Sequence, residues 1–499
     1  MNHHRQTRTG PRPVVCAIGG IDPSGHAGLL ADLRTLADLG CHGSAIPTSI
    51  TLQNGHSCHS AEPLAQPGIS ELWRTLAADT PARAVKVGLI CNSAQFEAIS
   101  ACQRANAHLP WVQDPVSSAS QNLRVLARTR LLPGAVFTPN LPELAAWAGL
   151  DEQALACPKT LTASANKALA AGAQAVWVKG GHGAQANWVD SYFCSSNQQF
   201  WLRSPRLNAP HSRGTGCVLA SSLAAFLAHG KALADAVVLA HAYVYRGLRL
   251  GQPVGTAPGP VAQTGEPQAL EDFPLCLTQA QYETLHAGVG TPPFAPCPEP
   301  GLYVLVDSLP WLRRLLKSGV RTLQLRIKNL QASERLQVIK QAIALGRAHK
   351  AQVYINDYWE DALALGAYGV HLGQEDLADT DLPALARAGL RLGISCHSEY
   401  EWCRALACQP SYLALGAAFT SHTKAVPVLE PRDLQHWHRL LRPRLPVVVI
   451  GGINAHTLPR LLPMGVQSVA VINAVTRAEN PEAAVRGLQS ALAMAPPPE

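Results

Sequence analysis

Eight short apolar runs recur along the last 200 residues, and nearly every run ends in charged or hydrogen-bonding residues. Stretches that can hold helices separate the runs, as at 331–348 and 457–464. A strand–helix unit repeated in this way predicts a closed parallel (β/α)8 barrel, whose functional side chains gather at the C-terminal ends of the strands. The runs lie at 302–307, 322–328, 352–357, 369–376, 392–397, 412–416, 446–452 and 468–474.

The ends of the predicted barrel strands carry ions and amides. Gln324, Arg326 and Lys328 alternate along one run, so they share one face of the strand. Arginine as a fork and lysine as a compact charge suit a diphosphate. Asp357 and Asp376 end the third and fourth runs, where two carboxylates can share one Mg²⁺ with substrate phosphate. A lone aspartate often only caps the following helix, but two of them beside these cations favour a magnesium and polyanion site.

The first half of the chain alternates strand-like runs with helical patterns. This alternation predicts an α/β domain with a mainly parallel sheet and with ligands at the C-terminal ends of its strands. The strand candidates are 13–20, 84–90, 111–116, 135–140 and 175–181. The helix candidates include 27–40, 142–150 and 217–230.

The strongest local motif in the first half is HSRGTGCVLASSLAAFLAHG at 211–230. Gly214, Thr215 and Gly216 let successive backbone amides point into one space, and an apolar helix follows directly. Such a turn can stabilise charge on a transferring phosphoryl group, although a glycine pair before a helix is often a simple packing turn. The motif is not a P-loop, because the chain contains no G-x-x-x-x-G-K-[ST] sequence.

Three other segments of the first half support a phosphoryl-transfer pocket. Asp22 lies in the glycine-rich opening IGGIDPSGHAG, just before a predicted helix. Glu143 follows a strand in FTPNLPE and is a candidate for water-mediated magnesium binding. Lys179 ends a strand before two glycines, where it could meet a nucleotide phosphate.

Length and composition predict two globular domains. The chain has 499 residues, more than one core usually supports. A proline-dense stretch at 276–299 has the composition of a semi-rigid linker. We therefore predict a disordered tail at 1–12, a first domain at 13–275 and a barrel domain at 300–499.

Charge and composition exclude several classes of function. No apolar run approaches the ~18 residues that span a bilayer, and the N-terminus lacks a signal-peptide pattern, so we expect a cytoplasmic protein without membrane partners. The net charge of +7 is scattered, which argues against a nucleic-acid partner. HSCH at 56–59 lacks a second pair at zinc spacing, and the thirteen cysteines are expected to be reduced thiols. Self-association into a homo-oligomer stays open.

Read in order, the motifs of the first half resemble the hydroxymethylpyrimidine and phosphomethylpyrimidine kinases of thiamine synthesis, over about 13–265. The resemblance implies a three-layer α/β domain of the ribokinase-like superfamily, with ATP as phosphoryl donor. It implies that Cys217 is the base toward the substrate hydroxymethyl, that Gln53 hydrogen-bonds the aminopyrimidine and that Asp22 lies near the hydroxyl. A thiol at a helix N-terminus has a reason for a lowered pKa, which suits a base. Nucleotide phosphate would be held by Lys179, Gly214, Thr215 and Gly216.

The sequence departs from this kinase family at two places. DPVSSASQN lacks the family's Met and its Lys-Ser-Gly loop, which leaves closure over the substrate at 117–122 undecided. Arg213 stands where the family often has His. Neither departure removes a proposed chemical group.

The motifs of the second half resemble thiamine phosphate synthase, a TIM barrel, over about 300–495. They are Q-x-R-x-K, N-D, G-Q-E-D, G-x-S-x-H, a T-K loop and G-G-I. The resemblance implies that Gln324 faces the pyrimidine and that Ser395 lies near the leaving group, with Mg²⁺ on Asp357 and Asp376. Pyrophosphate would be held by Arg326, Lys328, Asn356 and Lys424. Thiazole phosphate would be held by Ser421, Thr423, Gly451 and Gly452.

Departures in the second half concern the thiazole phosphate. The loop TSHTK at 420–424 lacks the usual proline, although Ser421 keeps a hydroxyl, and Asn473 replaces a common serine. Taken with the first half, the resemblance implies a bifunctional thiamine-synthesis transferase that uses small-molecule substrates, ATP and Mg²⁺.

Two alternatives to this function stay open. One is a pyridoxal-type kinase fused to a thiazole tautomerase; the intact cations and acids argue against it, because tautomerisation needs no diphosphate clamp. The other is a non-catalytic barrel that senses thiazole or thiamine phosphate, for which the changed loop at 420–424 is the best support. The residues do not decide whether the kinase also accepts pyridoxal.

Overall fold

The computed structural model describes residues 11–64, 68–116, 130–181, 187–290, 292–420 and 427–494. The chain forms two compact units, Met1–Glu283 and Thr284–Glu499. Within the described ranges, no helix has both the length and the apolar character needed to cross a membrane.

A ten-stranded sheet forms the centre of the first unit. Its strands are β1 (Val14–Ile21), β2 (His42–Gln53), β3 (Cys58–Pro63), β4 (Ala84–Val87), β5 (Trp111–Gln113), β6 (Val136–Phe137), β7 (Ala175–Val178), β8 (Trp188–Ser195), β9 (Gln199–Pro205) and β10 (Leu275–Leu277). The spatial order is β10-β9-β8-β7-β6-β5-β4-β1-β2-β3. The strands from β7 to β2 in that order are parallel, and antiparallel strands extend the sheet at both edges.

Helices cover both faces of this sheet. They are α1 (Gly28–Asp38), α2 (Ile69–Asp79), α3 (Ser93–Ala105), α4 (Leu141–Ala148), α5 (Pro158–Ala170), α6 (Thr215–Ala228), α7 (Leu233–Arg249) and α8 (Gln279–His286). Along β4, Val85 and Val87 pack into a core cluster with α2 and α3. Lys86, between them, points to the other face and meets Asp32 of α1. The predicted three-layer α/β architecture is therefore confirmed.

The sequence prediction found the strands β1, β4, β5, β6 and β7 but missed the others in this unit. Strands such as β4 are buried on both faces and appear as continuous apolar runs. In contrast, β2 contains Pro47 and alternates buried with exposed positions, and β3 is largely polar and exposed. Strands of this kind lack a continuous apolar run and give a weak hydrophobic signal.

The second unit is a closed eight-stranded parallel barrel, as predicted. Its strands are β11 (Leu302–Val306), β12 (Thr322–Leu325), β13 (Gln352–Asn356), β14 (Gly369–Leu372), β15 (Arg391–Cys396), β16 (Tyr412–Leu415), β17 (Val447–Ile450) and β18 (Val469–Val471). Pairing of β18 with β11 closes the ring. Each strand falls within one of the eight apolar runs or begins one residue before it, because every run is long enough to span a barrel layer.

Helices follow the barrel strands, with one departure from the prediction. They are α9 (Leu309–Lys317), α10 (Ala332–Ala348), α11 (Trp359–Ala364), α12 (Leu382–Arg387), α13 (Glu399–Ala407), α14 (Pro431–Leu441), α15 (Asn473–Thr476) and α16 (Pro481–Ala493). The predicted helix at 457–464 is instead two short 3-10 turns, Leu458–Arg460 and Leu462–Met464. Pro459 and Pro463 lack the N–H that a continuous helix would need.

The proposed linker at 276–299 differs from the structure in its first part. Strand β10 pairs with β9, and α8 follows it. Tyr282 of α8 is buried and stacks on Trp201, with ring centroids 3.8 Å apart. The division between the two units falls within α8. The prolines concentrated after residue 291 led the prediction to place the end of regular structure too early.

Candidate functional sites

The glycine turn of the first unit is packed against the loop that follows β1. Gly214 immediately precedes α6 and has φ of +75°, a left-handed conformation that favours glycine. A side chain at Gly214 would collide with the backbone carbonyl of His26. Thr215 uses its hydroxyl to donate to the Ser212 carbonyl oxygen at 2.6 Å. The absence of a side chain at Gly214 therefore lets the loop that contains Asp22 lie directly beside the predicted phosphate turn.

Asp22 and Gln53, both predicted to bind substrate, contact one another. The Gln53 amide donates to Asp22 Oδ2 at 3.2 Å. The other donors to Asp22 are the Ser24 amide and hydroxyl and the Ala27 amide, at 2.7–2.9 Å. Because Asp22 is only 2% exposed, these bonds fix both carboxylate oxygens. Asp22 and Gln53 therefore present a polar surface whose carboxylate oxygens are held in place.

His26 belongs to the same polar surface and was not identified as a site residue from the sequence. Its Nδ1 lies 2.8 Å from the Ser24 hydroxyl oxygen, and the residue is 7% exposed. Among the described residues its Nε2 has no hydrogen-bond partner although it is buried. An unpaired buried ring nitrogen is costly unless a ligand or water pairs with it. The only sequence signal was a histidine among glycines.

Lys179 and Glu143, predicted to meet nucleotide and magnesium separately, lie in one ion cluster. Lys179 Nζ is 2.6 Å from Asp114 Oδ1 and 3.4 Å from Glu143 Oε2. Burial raises the pKa of Glu143 to about 7, Lys179 lowers it, and Asp114 raises it. Glu143 also forms a capping box with Asn140 at the start of α4. The lysine is thus already neutralised by the protein before any phosphate contact.

A second ion pair lies below the start of α6 and was also missed. Lys86 Nζ bonds both carboxylate oxygens of Asp32, at 2.8 and 3.0 Å, and the Ser221 hydroxyl donates to the same carboxylate at 2.7 Å. Lys86 and Asp32 are essentially unexposed. Burial alone would lower the pKa of Lys86, but Asp32 outweighs it and the pKa is raised. The ion pair and the Ser221 hydrogen bond thereby connect β4, α1 and α6.

Cys217 departs from the expected lowered pKa. It lies in the first turn of α6, as predicted, but burial raises the pKa of the thiol to about 11. Lys86 and a hydrogen bond from the Gly28 backbone lower the pKa, whereas Asp32 and Asp114 raise it. Desolvation and the two carboxylates therefore outweigh Lys86 and the Gly28 hydrogen bond, so the thiol pKa is raised rather than lowered.

Two carboxylates meet at the C-terminal ends of neighbouring barrel strands. Asp357 follows β13 directly, and Asp376 lies in the segment after β14, where its Oδ2 accepts from the Gly373 amide at 2.8 Å. Asp357 is exposed, yet partial desolvation at the strand end raises its pKa, and the charge of Asp376 raises it further. Asp357 also has φ of +64°, an uncommon conformation for a residue with a side chain. Glu375, missed in the sequence, adds a third carboxylate near Asp357.

The predicted cations of the barrel lie beside these acids. Arg326 follows β12 and lowers the pKa of Asp357. Asn356 is 7% exposed, and its side-chain amide lowers the pKa of Asp357. In the ranges that the structure covers, neither Arg326 nor Lys328 forms an ion pair within 4.0 Å. Their charge is therefore available to an anionic ligand.

The interior of the barrel holds a continuous series of hydrogen bonds between Gln324 and Ser395. The Gln324 amide lies 3.0 Å from the Tyr303 hydroxyl, which lies 2.9 Å from the Tyr412 hydroxyl. Tyr412 lies 2.7 Å from His371 Nδ1, and His371 Nε2 lies 2.9 Å from Ser395 Oγ. The three linking residues were missed, because in the sequence they read as ordinary members of buried strands.

The proposed thiazole-phosphate site is described in part. Gly451 and Gly452 follow β17, and side chains at these positions would collide with the segment 417–420. Asn473 begins α15 after β18, at the position where many barrels bind phosphate. Ser421, Thr423 and Lys424 lie outside the described residues.

Comparisons with known proteins match the two halves of the chain to two different families. The family described as phosphomethylpyrimidine kinase matches residues 22–262, and the family described as thiamine monophosphate synthase matches residues 302–475. The thiamine-phosphate synthase of Photorhabdus laumondii is 49% identical over 191 residues, which cover 38% of this chain and 88% of that protein. The thiamine-phosphate synthase of Klebsiella pneumoniae is 50% identical over 197 residues, which cover 39% and 92%. Among solved structures, a pyridoxal kinase from Staphylococcus aureus, in complex with pyridoxal, aligns with 51% of this chain and 94% of its own, at 26% identity and a TM-score of 0.44.

Proposed function

We propose that the two sites of this chain catalyse successive steps. The premise is that the chain belongs to the thiamine-phosphate synthase family and carries a phosphomethylpyrimidine kinase domain before its barrel. The first unit phosphorylates hydroxymethylpyrimidine and then its monophosphate with ATP. The barrel joins the resulting diphosphate to a thiazole phosphate and releases pyrophosphate. The chain is thus a bifunctional transferase of thiamine biosynthesis, and the product of one unit is the substrate of the other.

The observation that carries the coupling function is the meeting of paired acids and unpaired cations at adjacent barrel strands. Desolvation raises the pKa of Asp357, and the negative charge of Asp376 raises it further. Arg326 and Lys328 lie nearby without ion-pair partners among the described residues. A tautomerase or a simple sensor would have no use for both charges together, whereas a diphosphate needs both.

The acid pair fits a divalent cation shared with the substrate. Among the described residues, no group of three or more His, Cys, Asp or Glu side chains is arranged to hold a metal ion alone. Asp357 and Asp376 would hold Mg²⁺ with substrate phosphate oxygens as the remaining ligands. Bound there, Mg²⁺ supplies charge neutralisation for the departing pyrophosphate.

The residues of the barrel would act on a bond that breaks at the pyrimidine methylene. The electron pair of that C–O bond leaves with pyrophosphate, and the thiazole nitrogen forms the new bond to carbon. Arg326, Lys328 and Asn356 hold the pyrophosphate oxygens, and Ser395 donates to the leaving group. Gln324 orients the pyrimidine. Thiazole phosphate would lie at Gly451 and Gly452, and the assignments of Ser421, Thr423 and Lys424 remain predictions.

In the first unit, the substrate would lie between Gln53, Asp22 and Cys217. The amide of Gln53 pairs with the aminopyrimidine edge. Cys217, as the thiolate, receives the hydroxyl proton while the oxygen attacks the γ-phosphorus and the bond from that phosphorus to the departing ADP oxygen breaks. Because burial raises the pKa of the thiol, Cys217 must first lose its own proton to solvent, and the Lys86 charge favours the thiolate. The phosphate-binding turn and Lys179 stabilise the charge on the transferring phosphoryl group. Phosphate oxygens of ATP lie at Gly214, Thr215 and Gly216, with Glu143 as a water-mediated magnesium partner.

The test supplies the full chain with hydroxymethylpyrimidine, ATP, Mg²⁺ and thiazole phosphate. We expect both pyrimidine diphosphate and thiamine phosphate, and accumulation of the diphosphate when the thiazole is omitted. Chromatography with mass detection measures both products. Failure to form thiamine phosphate from supplied diphosphate would contradict the coupling function.

Cys217→Ala separates the two reactions. We expect it to remove formation of the pyrimidine diphosphate while leaving coupling of supplied diphosphate intact. Cys157→Ala is the matched control, because Cys157 is exposed at the start of α5, outside the proposed site. Normal kinase turnover in Cys217→Ala would refute its assignment as base.

A further inference from the structure

In the hydrogen-bond series inside the barrel, the donor and acceptor of one bond determine the donor and acceptor of every other bond. Tyr303 and Tyr412 are at most 1% exposed, and His371 is 8% exposed, so water does not supply alternative partners. Both ring nitrogens of His371 face hydroxyl oxygens, and no carboxylate of the described residues forms an ion pair with the imidazole, so the buried ring is neutral. A neutral imidazole donates through one nitrogen and accepts through the other. Once one bond in the series has a direction, all the others follow.

Only two directions satisfy this chain of donors and acceptors. In the first, Gln324 donates to Tyr303, Tyr303 to Tyr412, and Tyr412 to His371 Nδ1. His371 Nε2 then donates to Ser395, whose hydroxyl hydrogen is free to donate outward. In the second, each bond is reversed, the Gln324 amide is turned over, and the Ser395 hydrogen is consumed by His371.

The unpaired atom at the Gln324 end selects the first direction. Gln324 is 1% exposed, and its Oε1 is buried without a partner among the described residues. An exocyclic amino group of a pyrimidine is a donor and would satisfy that oxygen. In the reversed direction, the amide NH2 would face the amino group donor to donor. Binding of an aminopyrimidine and a donating Ser395 therefore require the same direction.

We propose that Tyr303, Tyr412 and His371 form a directional relay that makes Ser395 a hydrogen-bond donor when Gln324 accepts from the pyrimidine amino group. The relay transfers no proton; it orients the Ser395 hydrogen toward the leaving pyrophosphate oxygen. Tyr303, Tyr412 and His371 are positioning residues, since they act through Gln324 and Ser395. This inference rests on the proposed coupling function and extends it by linking recognition of the base to departure of the leaving group.

The fold of the barrel makes specific room for this relay. Gly393 of β15 faces Tyr412, and a Cβ at Gly393 would overlap the tyrosine ring and its hydroxyl. Tyr354 packs in the same interior cluster, with its ring centroid 5.1 Å from that of Tyr412. The Tyr354 hydroxyl lies 3.5 Å from Gln352 Oε1, and it also interacts with Cys297 and Tyr368, neither of which belongs to the relay. Tyr354→Phe is therefore a control that removes a buried tyrosine hydroxyl outside the relay.

The first test reads the His371 tautomer in the full chain without using activity. Nitrogen-15 labelled histidine is observed by long-range NMR correlation, and His371→Gln assigns the signal by its absence. With hydroxymethylpyrimidine diphosphate bound and thiazole phosphate absent, we expect a bare Nδ1 and a protonated Nε2 in the wild type and in Tyr354→Phe. In Tyr412→Phe, we expect both tautomers. A protonated Nδ1 in the wild type would overturn the proposed direction.

The second test is a double-mutant cycle on coupling, with pyrimidine diphosphate supplied so that the kinase is not involved. We expect Tyr412→Phe to lower kcat about tenfold, as loss of one buried hydrogen bond to a catalytic group implies, with a smaller change in KM. In the Ser395→Ala background, the same change should have less than about a twofold effect, because its target is gone. Tyr354→Phe should match the wild type.

The outcomes separate the relay from the proposed function. Multiplicative losses in the double variant, or an equal loss in Tyr354→Phe, would overturn the relay while coupling by the wild type stands. If the wild type shows the expected tautomer but never forms thiamine phosphate, the coupling function fails and the relay direction stands.

Discussion

Charged side chains fill both candidate sites, but the first unit pairs them with one another, whereas the barrel leaves several of them to a ligand. In the first unit, Lys86 is held by Asp32 and Lys179 by Asp114, with nitrogen–oxygen distances of 2.8 and 2.6 Å. In the barrel, Arg326 has no carboxylate within ion-pair distance in the described ranges. The barrel interior instead relies on neutral hydrogen bonds.

This difference follows from where each charge lies. The ion pairs of the first unit lie under α6, where a lone charge would carry a large desolvation penalty. The barrel charges lie at strand ends, where solvent screens them until substrate arrives. Charges in the first site should therefore support folding as well as catalysis, and charges in the second should serve binding alone.

The largest expected effect is on coupling, through Asp357. We expect Asp357→Asn to lower coupling at least about a hundredfold, since metal stabilisation is worth several kcal/mol and each ~1.4 kcal/mol is tenfold in rate. Asparagine tolerates the left-handed backbone at this position, so the change tests charge rather than conformation. Kinase turnover in the same preparation should be unchanged.

The matched control for this substitution is Asp379→Asn, an exposed aspartate just beyond the 3-10 turn that begins at Asp376. It should couple as the wild type does. Full coupling in Asp357→Asn would mean that the acid pair holds no cation needed for the reaction.

Much of the fold was predictable, because the strongest signals report burial on both faces. All barrel strands and the central strands of the first sheet appear as apolar runs. The antiparallel strands β3 and β9 did not, since strand formation there depends on packing against the neighbouring strands. The helix expected at 457–464 failed for a local reason, because Pro459 and Pro463 break the backbone hydrogen bonds.

Site residues could be predicted where a polar side chain directly follows an apolar strand. They could not be predicted where their properties depend on side chains that only the folded chain brings near. Asp357 could be found from its polar contrast with the preceding strand. The pKa of Cys217 could not, because it depends on burial and on Asp32 and Asp114. Lys86 and His371 read as parts of ordinary strands, and only the folded barrel or sheet reveals their partners.

The second expected effect is on stability rather than on activity, through Lys86. Replacing one member of a buried ion pair leaves the other charge unpaired, which costs about 3–5 kcal/mol. We therefore expect Lys86→Met to destabilise the first unit by roughly that amount. Hydrogen exchange of β1 and β4 peptides measures the loss within this unit. Exchange in β12 peptides should not change.

Arg326→Met is the contrasting variant at the barrel site. It should change exchange in β12 by no more than about 0.5 kcal/mol, as for a surface substitution, while weakening coupling. The double variant Asp32→Leu/Lys86→Met should recover part of the lost stability, because neither charge is left alone. A large loss of stability in Arg326→Met would end the distinction between the two sites.

The smallest expected effect compares two cysteines at helix starts in the first unit. Cys157 is exposed, and hydrogen bonds from the Thr160 and Lys159 backbones lower the pKa of its thiol. Burial raises the pKa of Cys217 to about 11. Iodoacetamide should therefore label Cys157 first near neutral pH, and labelling of Cys217 should rise roughly tenfold per pH unit up to its pKa. Peptide mass spectrometry measures both rates in one sample. Equal labelling at neutral pH would show that the helix N-terminus outweighs burial and that Cys217 is already a thiolate in the free protein.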